Sequence, residues 1–439
     1  MTDSVHPVLR ALRDFDPVPR FGLVTRLRAT AIEADGPPSA LGAVCEIGAK
    51  DGCIRAEVIG VERGRIVLAP YGSAAAVRLG DRVHKSLGGH GVRVGEGFLG
   101  RVLDPFGVPI DGAGSVGGAT RLQPLAGYPP GPLDRLPPSA RLDTGIRALD
   151  TLLPLAKGQR VGLFAGSGVG KTSLLGGLAR HVEADHCVLC LIGERGREAE
   201  ELWREALPEA TRQRSVMVLA TSDLSAALRA RAMWTALAHA EALSQQGAHV
   251  LFLVDSITRF AMALREIGLS AGEPPTVRAY PPSVFGLLPK VVERCGVFRA
   301  RGAITAIMTI LAESDEIDDP MAETMRSLLD GHIVLSRDLA ERGHYPAIEI
   351  TRSVSRAAQR VETPQDTALR LEAVSLLACY EGAKLLVESG AYAAGSDSLT
   401  DRAIELYPAL LEFLRQDLGE AVPASTASAT LMRVLKGAR

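Results

Sequence analysis

The N-terminal part of the chain carries short runs in which apolar and polar residues alternate, at residues 21–27, 55–61 and 65–69. Glycine, proline and aspartate separate these runs, and no helical spacing lies between them. Strands this short and this closely spaced are typical of small all-β domains. The pattern therefore predicts a small antiparallel β-barrel or sandwich over residues 21–94.

Between about residues 143 and 350 the pattern changes, because longer apolar runs alternate with stretches of helical spacing such as residues 224–244. Such alternation is typical of an α/β domain whose mostly parallel sheet is covered by helices on both faces. The runs that we predict as strands are 161–165, 188–192, 215–220, 249–255, 303–310 and 331–335.

From residue 363 onward the apolar positions keep helical spacing, which predicts a C-terminal helical bundle. Within this region we expect residues 421–429 to be loosely packed. The apolar positions with helical spacing are Leu369, Val374, Leu377, Leu385, Leu386, Ile404, Leu411 and Leu414.

The first twenty residues carry an apolar stripe at helical spacing, formed by Val5, Val8, Leu9, Leu12 and Phe15. A stripe of this kind packs on the body of its own protein or docks onto a partner helix. From the residues alone, both interpretations stay open.

Composition limits the classes of protein to which the chain can belong. The 439 residues, of which 46% are hydrophobic, suffice for two or three domains with cores of their own. The net charge of −2 gives no indication of a nucleic-acid-binding protein. No apolar run reaches the roughly 18 residues of a membrane span, and the polar start of the chain does not resemble a signal peptide. We therefore expect a cytosolic protein.

Two of the six cysteines, Cys187 and Cys190, have the C-x-x-C spacing of zinc and redox sites. They lie in an apolar run that predicts a strand, where residues three apart point to opposite faces. No second C-x-x-C pair completes a set of four zinc ligands. We therefore interpret them as buried free thiols.

A glycine-rich loop follows the first predicted strand of the α/β region and precedes a predicted helix. Gly166, Gly168 and Gly170 let the backbone adopt conformations closed to other residues, so that successive N–H groups can point at one spot. The positive end of the helix dipole lies at the same spot. Lys171 can reach the β and γ phosphates of a nucleotide, and the Thr172 hydroxyl is placed to bind Mg²⁺.

The usual form of such a loop is G-x-x-x-x-G-K-[ST], and this chain has Ala165 in place of the first glycine. The departure is mild, because Ala165 ends the strand, where φ is normally negative. A chance glycine-rich turn is the alternative, but the strand and the helix both occur where phosphate binding requires them. The predicted nucleotide-binding residues are Gly166, Ser167, Gly168, Val169, Gly170, Lys171, Thr172 and Ser173.

An acidic residue ends a second predicted strand. Six mostly apolar residues precede Asp255, which would emerge at the same edge of the sheet as the loop and help to hold Mg²⁺. A strand-terminal aspartate often only caps the next element. The phosphate-binding loop some 80 residues earlier favours the metal role.

Hydrolysis also needs a group that orients the attacking water. The strand after the loop helix ends in Glu194, which places a carboxylate at the edge of the sheet where the loop lies. We predict Glu194 as the catalytic base. The alternative is an ordinary salt bridge from Glu194 to Arg195 or Arg197.

An arginine that stabilises the transferred phosphoryl group is the remaining requirement. Arg352 and Arg356 follow the last predicted strand, where an arginine could reach across to a neighbouring subunit. An arginine supplied in trans raises the rate by roughly 10³ to 10⁵. Both residues are equally compatible with surface ion pairs.

Seven runs of sequence occur together in this chain, at 161–171, 193–198, 255–261, 272–275, 280–285, 330–347 and 353–356. Together they resemble the catalytic ATPases related to the rotary ATP synthases, the ATP synthase alpha/beta family. Within that group they are most similar to the flagellum-specific ATPases of the type III export apparatus. The resemblance covers about residues 95–357, and the barrel and the bundle agree with it in kind.

The resemblance implies an α/β fold with a RecA-like P-loop NTPase core, which hydrolyses ATP. The implied domains are a partner-binding segment over 1–20, a β-barrel over 21–94, a P-loop ATPase domain over 95–357 and a helical domain over 358–439. It also implies a homohexameric ring that binds ATP and Mg²⁺ between subunits.

The resemblance also assigns roles to residues. Glu194 would activate water and Arg195 would help near the γ phosphate, while Lys171, Thr172 and Asp255 would serve the phosphates and Mg²⁺. On the other side of the nucleotide, Tyr345 would stack on the adenine. Arg356 would be the finger that enters the site of the next subunit.

Partners also follow from the resemblance. The acidic loop 313–320 resembles the segment that faces the central stalk, although a solvated loop that caps the helix near Met321 remains an alternative. The N-terminal stripe matches the place where the export ATPases bind their negative regulator, which favours partner docking. Export substrates, their chaperones and peripheral contact with the inner face of the cytoplasmic membrane are further expectations, and nucleic acid is not.

Three rival functions remain at this stage. The first is the matching ATPase of a virulence type III secretion system, although residues 165–171 resemble the flagellar branch more. The second is a ring-shaped RNA helicase of the transcription-termination type, which would need exposed aromatics on the barrel. The barrel has few, chiefly Phe21 and Tyr71. The third is a non-catalytic ring subunit, which would lack a carboxylate such as Glu194.

Overall fold

A computed structural model describes residues 20–50, 52–86, 90–127, 130–311 and 319–437. The apolar stripe of the first twenty residues and all but the last two residues of the acidic loop 313–320 lie outside these ranges. The chain forms two compact units. The first comprises the described residues up to His90 together with Leu224–Ala227 and Glu266–Pro274, and the second comprises the rest.

The strands in the described ranges are β1 Phe21–Leu27, β2 Ile32–Ala34, β3 Val44–Ala49, β4 Gly52–Glu62, β5 Arg65–Pro70, β6 Arg82–Lys85, β7 Gly91–Val94, β8 Arg101–Leu103, β9 Arg121–Pro124, β10 Arg135–Leu136, β11 Arg141–Leu142, β12 Leu155–Ala156, β13 Arg160–Ala165, β14 His186–Glu194, β15 Ser215–Thr221, β16 Val250–Asp255, β17 Val297–Phe298, β18 Ile304–Leu311, β19 Gly331–Val334 and β20 Val354–Ser355.

The helices in the same ranges are α1 Arg147–Leu152, α2 Lys171–His181, α3 Gly196–Glu201, α4 Glu209–Gln213, α5 Ala226–Ser244, α6 Ile257–Ala271, α7 Pro282–Val292, α8 Pro320–Leu328, α9 Arg337–Glu341, α10 Ala358–Val361, α11 Pro364–Glu388, α12 Ser398–Leu414 and α13 Ala424–Leu435. None of the described helices combines the length and the apolar character that a bilayer crossing needs.

The first unit contains a closed antiparallel barrel with the strand order β1-β2-β5-β4-β3-β6. Alternation along each strand turns one set of side chains inward, and Val24, Ile32, Ile47, Leu68 and Val83 fill the interior. The prediction of a small antiparallel barrel is confirmed. Its last strand ends at Lys85, whereas β7 pairs with β9 in a separate two-stranded sheet of the second unit.

The second unit is built on an eight-stranded sheet with the order β20-β19-β13-β18-β16-β14-β15-β8. The pairings from β19 to β8 are parallel, and β20 is antiparallel to β19. The six residues of β16 are all buried, as expected for a parallel strand that is covered on both faces. The six predicted strands all occur in this sheet, so the predicted mostly parallel α/β domain is confirmed.

Three helices, α11 to α13, close the chain. Leu376, Leu406 and Leu431 from these helices share one hydrophobic core with Leu149 and Leu163 of the α/β part, so the bundle packs directly on that part. The predicted C-terminal helices are therefore confirmed.

One detail of the predicted C-terminal region is wrong. Residues 424–435 form α13, whose residues Ala427 and Leu431 are buried, so the expected loose stretch 421–429 largely belongs to a packed helix. Leu385 and Leu386 keep the helical spacing in α11 but are 81% and 52% exposed. Helical spacing therefore predicts that a helix forms, but it does not predict which of its apolar residues are buried.

Candidate active site

Three parallel strands of the same sheet, β13, β14 and β16, end at one edge. Because β13, β14 and β16 are parallel, their carboxyl ends lie at the same edge of the sheet. This edge holds the loop after β13, Glu194 at the end of β14 and Asp255 at the end of β16. The sequence folds this way because three buried apolar runs each stop at a polar or glycine residue. The edge therefore collects the groups that the sequence analysis predicted separately.

The loop between β13 and α2 needs glycine at two positions. Gly168 and Gly170 have φ values of 79° and 89°, a region that other residues rarely adopt. Ala165 is buried at the end of β13 and is not among the residues with positive φ, so the departure from the usual glycine is harmless. Gly170 is the cap of α2 and, among the described residues, no side chain bonds to this helix start. Its N–H groups and the positive end of its dipole thus remain for an anionic ligand.

Lys171, the first residue of α2, is held between two buried carboxylates. Its Nζ donates to Oδ1 of Asp255 at 2.6 Å and to Oε1 of Glu194 at 3.2 Å. Glu194 and Asp255 are only 5% and 3% exposed. Carboxylates are rarely buried to this extent unless they are paired, and Lys171 supplies the pairing for both.

Asp255 has a second partner inside the sheet, because Oγ1 of Thr309 donates to its Oδ1 at 2.8 Å. Burial raises the pKa of the Asp255 carboxyl, while Lys171 and Thr309 oppose the rise. The charge of Asp255 therefore depends on a cation beside it, which is the situation of a carboxylate that holds a lysine or a metal ion.

Glu194 faces a second cation. A guanidinium nitrogen of Arg259, in the first turn of α6, lies 3.5 Å from Oε1 of Glu194. The stem of Arg259 passes so close to Gly193 that an added Cβ there would lie 2.7 Å from the Arg259 Cδ. Glu194 is therefore aimed into the site by its neighbours, with Lys171 on one side and Arg259 on the other.

The alternative role of Glu194, an ordinary salt bridge to Arg195 or Arg197, is wrong. Arg195 is 82% exposed at its side chain and lies 3.8 Å from Glu198, and Arg197 pairs with Glu201 at 2.7 Å. In this chain Arg195 thus lies outside the group formed by Lys171, Glu194, Asp255 and Arg259, with its side chain in solvent.

Tyr345 lies beside the phosphate-binding loop of the same chain. Its ring atoms Cε1 and Cδ1 are 3.3 and 3.4 Å from the point where a Cβ on Gly170 would stand. The residue is 42% exposed, so one part of it covers the loop and another part is open to a ligand.

Arg356 lies at the opposite end of the strands. Its N–H donates to the carbonyl of Asp330, just before β19 begins, and its guanidinium donates to the carbonyls of Leu329 and Arg326 at 3.2 and 3.4 Å. The six residues of β13 span about 20 Å between that end and the loop. Arg356 of one chain therefore does not meet Lys171 of the same chain.

Two residues of the site were not predicted from the sequence. Arg259 lies four residues after Asp255, and only the start of a helix after a strand-terminal acid hints at its position. Thr309 is a polar residue inside the apolar strand β18, and this is a usable signal once β18 is known to lie beside β16. The cysteine prediction is confirmed, because Cys187 and Cys190 are free and fully buried, and burial raises the pKa of the Cys187 thiol to about 12.

The fold and the site together define a P-loop NTPase with a RecA-like core. The family model described as ATP synthase alpha/beta family, nucleotide-binding domain, matches residues 145–355, and the model for the T3SS EscN ATPase C-terminal domain matches residues 363–433. The chain belongs to the ATP synthase alpha/beta family, and it is an ATPase whose substrate is a nucleotide.

Relatives from two kinds of export system are similar over nearly the whole chain. The flagellum-specific ATP synthase of Bacillus subtilis (strain 168) is 43% identical over 410 residues, which cover 92% of this chain and 93% of the relative. The type 3 secretion system ATPase of Pseudomonas savastanoi pv. phaseolicola is 44% identical over 433 residues, which cover 96% and 95%.

Solved structures agree with the fold. The assembled ATPase EscN from the enteropathogenic E. coli type III secretion system matches with a TM-score of 0.90 and 38% identity, over 94% of this chain and 100% of that chain. The same ATPase in complex with its central stalk EscO matches with a TM-score of 0.86 and 37% identity, over the same shares. The expected order of barrel, RecA-like core and helical bundle is thus confirmed.

Proposed function

We propose that this ATPase hydrolyses ATP to ADP and phosphate at the edge of the sheet where Lys171 lies between Glu194 and Asp255. The observation that carries the proposal is this single lysine, held by two buried carboxylates at the start of α2. Phosphate oxygens that arrive at the loop can take over the ammonium of Lys171, since its partners among the described residues are two side chains. Residues 166–173 would hold the phosphates through their N–H groups and the Thr172 hydroxyl.

The donor set also fits Mg²⁺. A hydroxyl from Thr172 and a carboxylate from Asp255 are hard oxygen ligands of the kind that Mg²⁺ takes in nucleotide sites, where it keeps most of its waters. Bound there with ATP, Mg²⁺ would neutralise charge on the phosphate oxygens. Asp255 and Thr172 are the residues that would hold it.

Glu194 is the residue that we assign to the attacking water. It is buried, it points into the site, and the cations of Lys171 and Arg259 lie 3.2 and 3.5 Å from its Oε1. As the water oxygen bonds to the γ phosphorus and the bond to the bridging oxygen of ADP breaks, Glu194 can accept the proton of the water. Arg259, which the sequence analysis did not predict, lies where its charge can help to stabilise the phosphoryl oxygens.

Arg356 would act on the site of a neighbouring subunit. Arg195, whose side chain lies in solvent, would act near the γ phosphate only after a rearrangement. Because Arg356 lies at the far end of the strands, it can reach a phosphate-binding loop only on a neighbouring copy of the chain. The relative EscN is an assembled ATPase in its solved structures, which supports a homohexameric ring here. Tyr345 is placed to stack on the adenine with its exposed part.

The wider role that we propose is to drive export of flagellar proteins at the cytoplasmic face of the membrane, with stalk and regulator proteins, substrates and chaperones as partners. The flagellum-specific relative and the stalk complex of EscN support it. The virulence-secretion alternative has equal support, because a relative of that kind is 44% identical. An RNA helicase is less favoured, since Phe21 is exposed but Tyr71 of the barrel is buried and donates to Glu57 at 2.9 Å, where it cannot stack on a base.

Glu194→Gln tests the proposal. Turnover should fall by about 10² to 10⁴ because the base is lost, whereas ATP should still bind, since the amide keeps the shape of the side chain. In a flagellated host that lacks its own flagellum-specific ATPase, the wild-type chain should restore export of flagellar proteins and the variant should not.

The matched control is Glu198→Gln, which changes an exposed carboxylate that lies 3.8 Å from Arg195, and it should keep nearly full turnover. Full turnover in Glu194→Gln would remove Glu194 from the mechanism. Normal turnover of the wild type without restored export would instead favour the virulence alternative.

A further inference from the structure

Gln416 is a buried glutamine that follows the end of α12, and its amide is bonded on every side. Its Nε2 donates to the carbonyl of Gly145 at 2.7 Å and to that of Glu420 at 2.8 Å, while its Oε1 accepts from the N–H of Arg147 at 2.8 Å. Gln416 itself is 7% exposed. One side chain thus joins the start of α1 to the connection between α12 and α13.

The backbone of the same residue reaches the candidate active site. The N–H of Gln416 donates to the carbonyl oxygen of Tyr345 at 2.9 Å. The Tyr345 ring in turn lies 3.3 Å from the point where a Cβ on Gly170 would stand. A continuous line of contacts therefore runs from the Gln416 amide through Tyr345 to the last glycine of the phosphate-binding loop.

The connection after α12 also touches the helix that carries Lys171. A ring nitrogen of His181 lies 2.9 Å from the carbonyl oxygen of Leu418, and an added Cβ on Gly177 would lie 3.5 Å from the Leu418 Cβ. The segment after α12 therefore contacts both Tyr345 and α2. A glutamine that fixes this segment also fixes the distance between Tyr345 and the loop.

We propose that Gln416 is a positioning residue for ATP, because its buried amide holds Tyr345 in place to stack on the adenine. The inference rests on the proposed stacking role of Tyr345. If Gln416 positions Tyr345, its loss weakens binding of the adenine and leaves binding of the phosphates unchanged. A merely structural role would weaken both. Loss of the amide would leave the carbonyl of Gly145 and the N–H of Arg147 without their side-chain partner, so the segment would move.

The test compares two ligands that share a phosphate chain, ATP and inorganic tripolyphosphate with Mg²⁺, by calorimetry on the full-length protein. Gln416→Ala should weaken ATP binding about five- to twentyfold, which is the lower end of what a lost aromatic stack on a base costs. The affinity for tripolyphosphate should stay within about twofold of the wild type. In steady-state kinetics KM for ATP should rise while kcat changes little.

Tyr345→Ala and the double variant complete a mutant cycle. Tyr345→Ala should weaken ATP to the same degree, and the double variant should be no weaker than Tyr345→Ala alone, because both changes remove one interaction. Should Gln416→Ala fold poorly, Gln416→Glu keeps the volume and the acceptor for Arg147 but places oxygens against two carbonyls, and it should show the same loss for ATP alone. Gln123→Ala is the matched control, a buried glutamine on β9, and it should leave both affinities unchanged.

Each outcome separates the two ideas. If Tyr345→Ala binds ATP like the wild type, the proposed stacking role is wrong and the inference goes with it. If Tyr345→Ala weakens ATP but neither Gln416 variant does, only the inference is overturned. Equal weakening of ATP and tripolyphosphate in the Gln416 variants would also overturn it, because the loop itself would then depend on Gln416.

Discussion

The site contains two buried carboxylates that share one lysine. Two buried carboxylates, Glu194 and Asp255, share Lys171, and Arg259 lies 3.5 Å from Glu194. Burial raises the pKa of Asp255 despite the lysine beside it, so desolvation outweighs this one pairing. A ligand that draws Lys171 away must therefore bring positive charge to Asp255, and the proposed nucleotide with Mg²⁺ would do so.

Asp150, a buried carboxyl away from the site, allows a test of how burial and nearby partners together set a pKa. Its Oδ1 accepts from the N–H and the hydroxyl of Thr144, but its buried Oδ2 has no partner among the described residues. Burial raises the pKa of this carboxyl from 3.8 to about 6. Between these values the unfolded chain releases a proton that the folded chain keeps, so stability from this group falls as pH rises and is lost above about pH 6.

Asp150→Asn should remove this pH dependence. Relative to the wild type, the free energy of unfolding of the variant should rise by about 2–3 kcal/mol between pH 4 and pH 7, as urea denaturation would show. Asp143→Asn is the control: Asp143 is an exposed neighbour that pairs with Arg141 and raises the pKa of Asp150 less than burial does, so most of this slope should remain. An Asp150→Asn variant with the slope of the wild type would contradict the argument.

The sequence predicts the residues of the site whose position follows from a strand end. Glu194 and Asp255 each end an apolar run, and parallel strands bring such ends together. Arg259 and Thr309 could not be found in this way, because their roles depend on which strands are neighbours. Gln416 carries no pattern at all, since its partners lie about 270 residues earlier in the chain.

At the scale of elements, the apolar pattern predicts which strands and helices form, but it does not predict which elements lie beside each other. The six predicted strands of the α/β domain all occur, because continuous apolar runs are stable only when both faces are covered. The short strands β7 and β8 did not stand out, since β7 resembles the barrel strands before it and β8 has three residues. The exposed Leu385 and Leu386 show the same limit in a helix.

Helix α11 offers a prediction that depends on backbone conformation alone. Gly382 lies within this helix and Gly390 follows its end with a φ of 71°, and an added Cβ would meet nothing within 4 Å at either position. Gly382→Ala should raise the free energy of unfolding by about 0.5–1 kcal/mol, because alanine loses less conformational entropy in a helix. Gly390→Ala should lower it by about 1–2 kcal/mol, since alanine resists a left-handed conformation.

Denaturant titrations of the two variants against the wild type would measure both shifts. The two glycines are matched for space and for the helix they belong to, so each serves as the control for the other. Shifts of the same sign would show that packing, and not φ, decides the outcome at these positions.

At the scale of the whole molecule, the chain separates two parts of one proposed reaction centre. Lys171 and Glu194 lie at the carboxyl ends of the parallel strands, and Arg356 lies at the other end, about 20 Å away along β13. A side chain of arginine spans less than half of that distance. If Arg356 takes part in hydrolysis, two copies of the chain must share each site, and a ring closes the set of shared interfaces.

Mixed assemblies decide whether the site is shared. Arg356→Ala and Lys171→Ala should each be nearly inactive alone, and a one-to-one mixture should recover activity, because about a quarter of the interfaces then combine an intact loop with an intact arginine. Lys171→Ala mixed with Glu194→Gln is the matched control. Both defects lie on the same side of the interface, so no combination restores a complete site. ATPase rates of the two mixtures, with co-assembly checked by light scattering, would show recovery only in the first. Equal rates in both mixtures would place Arg356 outside the reaction.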